Sequence, residues 1–185
     1  IMALAVVAMT IGRMTDEISW CRLKRISDHS GSKAVVEEFT RLYENHGTDQ
    51  YFLFSYMVTL YKAGRCEEAI GIYEKLKEYC WSYQMELIAG DACKQVQRYD
   101  EALEHYETAG NMCPVRFAPL SGMLDTYIAD RRYDEADSVA GIILGKRIKV
   151  KSHKVFKVKD KAREWMTERS NGLLSVAEEY PYASH

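Results

Sequence analysis

The residue types that most often perform chemistry are scattered along this 185-residue chain. Its five histidines have neither HxxxH nor HExxH spacing, and no two of its five cysteines form a CxxC pair. A zinc site would require His and Cys residues clustered at such spacings. The sequence therefore predicts no metal site and no cofactor, and its odd number of cysteines favours reduced thiols over a disulfide framework.

Two further patterns look like chemistry but have structural explanations. Ser30-Gly31-Ser32-Lys33 contains the residue types of a phosphate-binding loop without its GxxxxGK spacing, and we expect a turn between helices there. Asp100-Glu101 and Asp134-Glu135 resemble the paired carboxylates of an acid–base catalyst. We expect both pairs at helix N-termini, where negative charge is favourable. The chain is therefore predicted not to be an enzyme.

A short motif recurs three times and organises the chain. It occurs as GRCEEA at residues 64–69, QRYDEA at residues 97–102 and RRYDEA at residues 131–136. Its alanines are 33 and then 34 residues apart. A motif that returns at this interval is typical of stacked helical hairpins. Such stacks present extended binding surfaces, so the motif favours a binding scaffold.

These alanines fit a site where the two helices of a hairpin cross closely. On that basis the repeats span residues 50–82, 83–116 and 117–148. In a helical-hairpin repeat of this length, we also expect a second small residue, an aromatic residue between the helices and a proline that ends the second helix. Departures occur at Met57, Trp81, Leu124, Ala140 and Ile148. The matching residues are Ala69, Tyr73, Gly90, Ala102, Tyr106, Ala109, Pro114 and Ala136.

This pattern resembles the tetratricopeptide repeat (TPR) family. The resemblance implies an all-α, TPR-like α-solenoid of about three to four helical hairpins with a C-terminal capping helix. Residues 15–48 are predicted to form a more degenerate hairpin before the three repeats. Residues 149–170 are predicted to form a basic amphipathic capping helix, and residues 171–185 a flexible tail.

The first 14 residues form an apolar stub with no charge before Arg13. A transmembrane helix needs about 20 apolar residues, so this stub is too short to span a bilayer. We expect it to be the end of a truncated transmembrane helix. The alternative is an apolar helix that packs on the first hairpin.

Charge is distributed unevenly along the chain. The net charge is −2, but residues 146–163 contain nine Lys or Arg and one acid, Asp160. This stretch is either a solvated helix face or a contact with anionic lipid headgroups, for which each cation is favourable. Nucleic acid is a third alternative, but the acidic remainder of the chain argues against it. An anionic membrane surface is therefore a predicted partner, and nucleic acid is not.

The first helix of each hairpin normally lines the concave groove of a TPR stack. We expect this groove to bind an extended peptide or a helix of a partner protein. The alternative is ordinary solvent exposure or, for Phe54 and Tyr61, packing in the core. The predicted groove residues are Tyr51, Phe54, Tyr61, Lys62, Gln84, Asp91, Lys94, Gln95, Ser121 and Asp125.

A narrower resemblance rests on the stretch from Met112 to Leu120, on Lys149-Val150-Lys151-Ser152 and on the apolar stub. Together they resemble the C-terminal repeat tail of bacterial O-antigen ligase or polymerase-like membrane proteins. Val115 departs from the Asn that is usual there. The resemblance implies a non-catalytic tail at the cytoplasmic face of a bacterial inner membrane, in cell-surface polysaccharide assembly. It also implies that the catalytic loops lie outside this chain.

Basic residues after the stub, such as Arg13 and Arg22, fit a cytoplasmic exit by the positive-inside rule. Other hypotheses remain open. They are a free-standing cytoplasmic TPR scaffold, an oligomerisation spacer, and a repeat protein with a cryptic catalytic site.

Overall fold

The computed structural model describes residues 14, 15, 17–23 and 33–172, and all regular structure in these ranges is helical. The predicted all-α class is therefore confirmed. Helix α1 denotes helical residues 14, 15 and 17–23. The remaining helices are α2 (Lys33–His46), α3 (Gln50–Lys62), α4 (Cys66–Leu76), α5 (Tyr83–Gln95), α6 (Tyr99–Met112), α7 (Ala118–Ala129), α8 (Tyr133–Gly145) and α9 (His153–Ser170).

The chain divides into two compact units, Ile1–Val96 and Gln97–His185. The boundary falls between α5 and α6, inside the predicted repeat 83–116. In unit 1, α3 packs against α2, α4 and α5, and α4 also packs against α5. In unit 2, α7 packs against α6, α8 and α9, and α8 also packs against α9.

An aromatic cluster fixes the first helices of unit 1. The Trp20 ring centroid lies 6.1 Å from that of Phe39 and 5.5 Å from that of Phe52. Phe39 also stacks on Tyr56 at 5.6 Å. All four side chains are buried. Burial of a ring this large contributes a few kcal/mol, so α1 is anchored to unit 1 through Trp20.

The apolar stub predicted at residues 1–14 lies outside the described residues, apart from Met14. The same holds for the predicted tail 171–185, apart from Asn171 and Gly172. Within the described part of the chain, no helix combines the length and the apolar character needed to cross a bilayer.

Each copy of the recurring motif begins with a residue in left-handed backbone conformation. The φ angles are +76° at Gly64, +63° at Gln97 and +59° at Arg131. Glycine adopts this conformation without cost, whereas other residues lose about 1–2 kcal/mol. In every copy the next residue is an arginine that forms the N-cap of the following helix.

The arginine of each motif binds the glutamate three residues later. The Nε–Oε1 distance is 2.8 Å at Arg98 and 3.0 Å at Arg132. A backbone hydrogen bond and the Arg132 guanidinium hold the pKa of Glu135 below its usual range. These carboxylates are therefore engaged at helix starts, as their position in the sequence indicated. The pairs are Arg65 with Glu68, Arg98 with Glu101 and Arg132 with Glu135.

The motif alanines Ala69, Ala102 and Ala136 are fully buried. Ala69 shares the unit 1 core with Met57, and Ala136 shares the unit 2 core with Leu124. Both of these larger residues depart from the repeat pattern and are nevertheless fully buried. The other residues that match the repeat pattern are also buried, except Pro114, which is exposed and follows the end of α6. The buried residues are Tyr73, Gly90, Tyr106 and Ala109.

In unit 2, the buried ring of Tyr106 in α6 packs directly on Gly122 in α7. A Cβ atom added at residue 122 would lie 2.5 Å from Tyr106 Cζ and 2.7 Å from its Cδ1. The close approach of α6 and α7 therefore depends on the missing side chain. The repeat pattern predicted a small residue at position 124, where the chain has Leu124. It did not identify Gly122, two positions earlier, as the small residue of this repeat.

Helix α9 caps unit 2 through Trp165, which is buried beside Tyr133 with ring centroids 5.7 Å apart. The Trp165 Nε1 donates to Asp137 Oδ1 at 2.8 Å, and Arg169 Nε donates to the other oxygen at 3.2 Å. Ser152 caps the start of α9 by accepting from the backbone N–H of Val155. The predicted C-terminal capping helix is therefore present.

In unit 1, a buried carboxylate joins α4 to α5. Glu86 of α5 is 1% exposed, and its Oε1 accepts from the Tyr73 hydroxyl at 2.7 Å and from the Trp81 indole. Burial, followed by the bond to Glu86, raises the pKa of Tyr73 well above its usual value. The phenol thus stays protonated and remains a donor. These bonds fix the position of α5 relative to α4.

We predict that Glu86→Ala lowers the free energy of unfolding by about 1–3 kcal/mol, because the buried Tyr73 hydroxyl loses its acceptor. Glu86→Gln should cost less, since its amide oxygen still accepts. Urea denaturation of the two variants and the parent chain measures the difference. If Glu86→Gln proved as destabilising as Glu86→Ala, acceptance by this oxygen would not be what joins the helices.

We also predict that Gly122→Ala destabilises unit 2 by about 1–3 kcal/mol, because the added methyl group overlaps the Tyr106 ring. Gly141→Ala is the matched control. It lies in exposed α8 backbone with no atom near the added Cβ, so it should stabilise by up to about 1 kcal/mol. Thermal melts of both variants test this, and equal shifts of the two would contradict the packing at Gly122.

Candidate partner-binding site

Helices α3 and α5 of unit 1 carry most of the predicted groove residues and pack against each other. On α3, Tyr51, Phe54 and Tyr61 recur at helical spacing and therefore share one face. On α5, Gln84 and Asp91 are also at helical spacing and share one face. We call the surface formed by these two helix faces the α3–α5 face.

The C-terminal halves of the two helices meet at Tyr61. Its hydroxyl is hydrogen-bonded to the Gln95 side chain, and burial together with the nearby charge of Asp91 raises the pKa of this tyrosine. The amide oxygen of Gln95 also accepts from the thiol of Cys66 at 3.0 Å. These contacts show that the predicted groove positions of α3 and α5 adjoin at this end.

Charged groups of both signs line the same end of the face. Lys94 Nζ lies 3.7 Å from Asp91 Oδ1, and both side chains are partly exposed. Lys62, at the end of α3, is exposed. Because the charges are mixed, this end of the face favours no single sign of ligand charge.

The aromatic residues of the face differ in exposure. Tyr51 is 67% exposed, whereas Phe54 and Tyr61 pack partly against the unit 1 core and remain partly exposed. These two residues therefore take part in core packing, and their role in partner binding stays a prediction. Gln84 is exposed near the start of α5. The face therefore combines an exposed ring with neighbouring amide and charged groups.

Asp125 and Ser121, the remaining predicted groove residues, lie on α7 in unit 2. Lys161 of the capping helix forms an ion pair with Asp125, whose side chain is 28% exposed. Ser121 is half-buried. Since α9 already contacts α7 at this point, we confine the candidate site to the α3–α5 face.

The described residues offer no alternative site of obvious chemistry. In these ranges, no group of three or more His, Cys, Asp and Glu side chains is placed to hold a metal ion. The two Asp-Glu pairs are at helix starts, where their glutamates bind arginine. The arrangement on the α3–α5 face suits recognition of a polypeptide through an aromatic anchor and polar contacts.

The sequence of the chain matches no protein-family profile and no curated protein. Its fold resembles crystal structures of MamA. MamA AMB-1, in the P212121 form, is 17% identical, with 94% of this chain and 95% of that chain covered and a TM-score of 0.64. MamA MSR-1, in the C2 form, is also 17% identical, with 86% and 91% covered and a TM-score of 0.64.

At this level of identity, the likeness shows the fold alone. MamA is a TPR-containing helical protein, so the predicted TPR-like, all-helical fold class is confirmed. None of these comparisons links the chain to O-antigen ligases or polymerases, and that resemblance stays a prediction. The chain is thus a TPR-like helical repeat protein by its fold.

Proposed function

We propose that the chain is a non-catalytic protein-interaction scaffold that binds a segment of a partner protein on the α3–α5 face. The observation that carries this proposal is Tyr51, an aromatic side chain 67% exposed on a helix whose other face is buried in the core. Tyrosines are frequent anchors of protein interfaces because they bury a large ring and offer a hydroxyl.

The partner segment suited to this face is an extended peptide or a helix with an apolar anchor. That anchor would pack on Tyr51 and on the exposed part of Phe54. Polar groups farther along the segment would reach Asp91 and the Gln95 amide, at the end where Tyr61 joins the two helices. A segment of either charge fits, since Asp91 is accompanied by Lys94.

For the cellular setting, the MamA-like fold supports the hypothesis of a free-standing cytoplasmic TPR scaffold better than that of a ligase tail. The cytoplasmic tail of a glycan ligase or polymerase in a bacterial inner membrane is the narrower hypothesis. It rests on residues 112–120 and 149–152 of the sequence. In both settings, the basic stretch 146–163 is proposed to contact an anionic membrane surface.

Site-specific photo-crosslinking tests the proposed face. A photoreactive phenylalanine analogue replaces Tyr51 in one variant and Tyr79, a tyrosine 45% exposed beyond the end of α4, in the control. In cells that produce the chain, we expect a discrete crosslinked partner from position 51 and none from position 79. Mass spectrometry then identifies the partner and the crosslinked segment.

Asp91→Ala should reduce the yield of the crosslinked partner from position 51, because the polar end of the bound segment loses a contact. Glu74→Ala, an exposed acid on α4, is the matched control and should leave the yield unchanged. If positions 51 and 79 crosslinked to the same partners with equal yields, the α3–α5 face would not be the binding site.

A further inference from the structure

The basic stretch 146–163 divides into cations that the fold uses and cations that it leaves exposed. Lys146 Nζ donates to the carbonyl oxygens of Pro114, at 2.6 Å, and Arg116, at 3.1 Å. Lys159 Nζ donates to the carbonyl oxygen of Leu144 at 2.9 Å. Burial lowers the pKa of Lys146. Lys159 therefore attaches α9 to α8, and Lys146 joins the end of α8 to the connection between α6 and α7.

Two more cations of the stretch are engaged in ion pairs. Lys161 binds Asp125 of α7, and Arg163 binds Asp160 within α9. Asp160, the one acid between residues 146 and 163, is thus already occupied by an arginine. This leaves no acid of the stretch to neutralise the cations near the start of α9.

The remaining five cations are all exposed and lie between residues 147 and 157. Among the described residues, none of them has an acidic partner within ion-pair distance. The first turn of α9 contains no acid, and the positive end of its macrodipole adds to the same field. These cations are Arg147, Lys149, Lys151, Lys154 and Lys157.

Two apolar side chains are exposed among these cations. Val150 is 75% exposed in the connection before α9, and Phe156 is 42% exposed within its first turns. Each lies next to lysines in the chain, with Val150 between Lys149 and Lys151. A surface that offers apolar and cationic groups together matches the interface of an anionic bilayer, where acyl chains and phosphates are both within reach.

We propose that residues 147–157 form a contact site for anionic phospholipid headgroups, with Val150 and Phe156 inserting between them. This deepens the membrane contact of the proposed function and is independent of the α3–α5 face. Lys159 and Lys161 hold α9 against α8 and α7, and the five exposed cations meet the lipid. A purely acidic polypeptide such as polyglutamate would satisfy the cations alone and would leave both apolar side chains in water.

Sedimentation of the full chain with vesicles tests this site. Vesicles of phosphatidylcholine with phosphatidylglycerol should bind the chain, and vesicles of phosphatidylcholine alone should bind it weakly. The variant K149Q/K151Q/K157Q should lower the partition coefficient roughly 100-fold, because each lysine near such a surface contributes about fivefold. Added salt should weaken binding of the parent chain, since it screens these charges.

The control variant K33Q/R41Q/K77Q removes the same charge from exposed cations of unit 1 and should leave binding to the anionic vesicles within about twofold of the parent chain. A second variant, V150S/F156S, keeps every charge and should weaken binding about tenfold, because two apolar side chains no longer enter the interface. All the substituted side chains are exposed, and circular dichroism verifies that each variant is folded.

An equal loss of vesicle binding in K149Q/K151Q/K157Q and in K33Q/R41Q/K77Q would overturn the assignment to residues 147–157. The choice of lipid would be overturned if the chain bound polyglutamate as strongly as the anionic vesicles and V150S/F156S weakened neither interaction. Crosslinking from position 51 provides the separate readout of partner binding. It should be unchanged in K149Q/K151Q/K157Q, so failure of the lipid site is distinguishable from failure of the α3–α5 face.

Discussion

The constraint on which the hairpins depend is a chain reversal within very few residues. Each copy of the motif meets it with one residue in left-handed conformation followed by an arginine at the helix N-cap. Gly64 adopts this conformation freely, whereas Gln97 and Arg131 do so at a conformational cost. The buried alanine that follows each turn offsets this cost, because its small side chain lets the helices pack closely.

The interhelix tyrosines show how one repeat position can be accommodated in two ways. Tyr73 is buried with its hydroxyl bound to the carboxylate of Glu86. The ring of Tyr106 instead occupies the space that Gly122 leaves open. The ring at this position is thus accommodated through a buried acceptor on the neighbouring helix in unit 1 and through a missing side chain on the neighbouring helix in unit 2.

Electrostatics separate the parts of the surface that maintain the fold from those available to partners. The arginine–glutamate pairs at the helix starts and the Lys161–Asp125 pair are internal to their units. The α3–α5 face keeps an exposed ring beside mixed charges, and residues 147–157 keep exposed cations beside two apolar side chains. These two surfaces differ in chemistry, which is why we assign them different partners.

The sequence by itself determined the helical class, the spacing of the hairpins and the burial of Ala69, Ala102 and Ala136. These follow from periodic, local patterns that need no knowledge of distant contacts. Only the tertiary structure decided that Gly122 receives the Tyr106 ring, that Lys161 reaches Asp125, and which cations near α9 remain exposed. Each of these depends on side chains that are far apart in sequence and meet only when helices pack, so no local pattern encodes them.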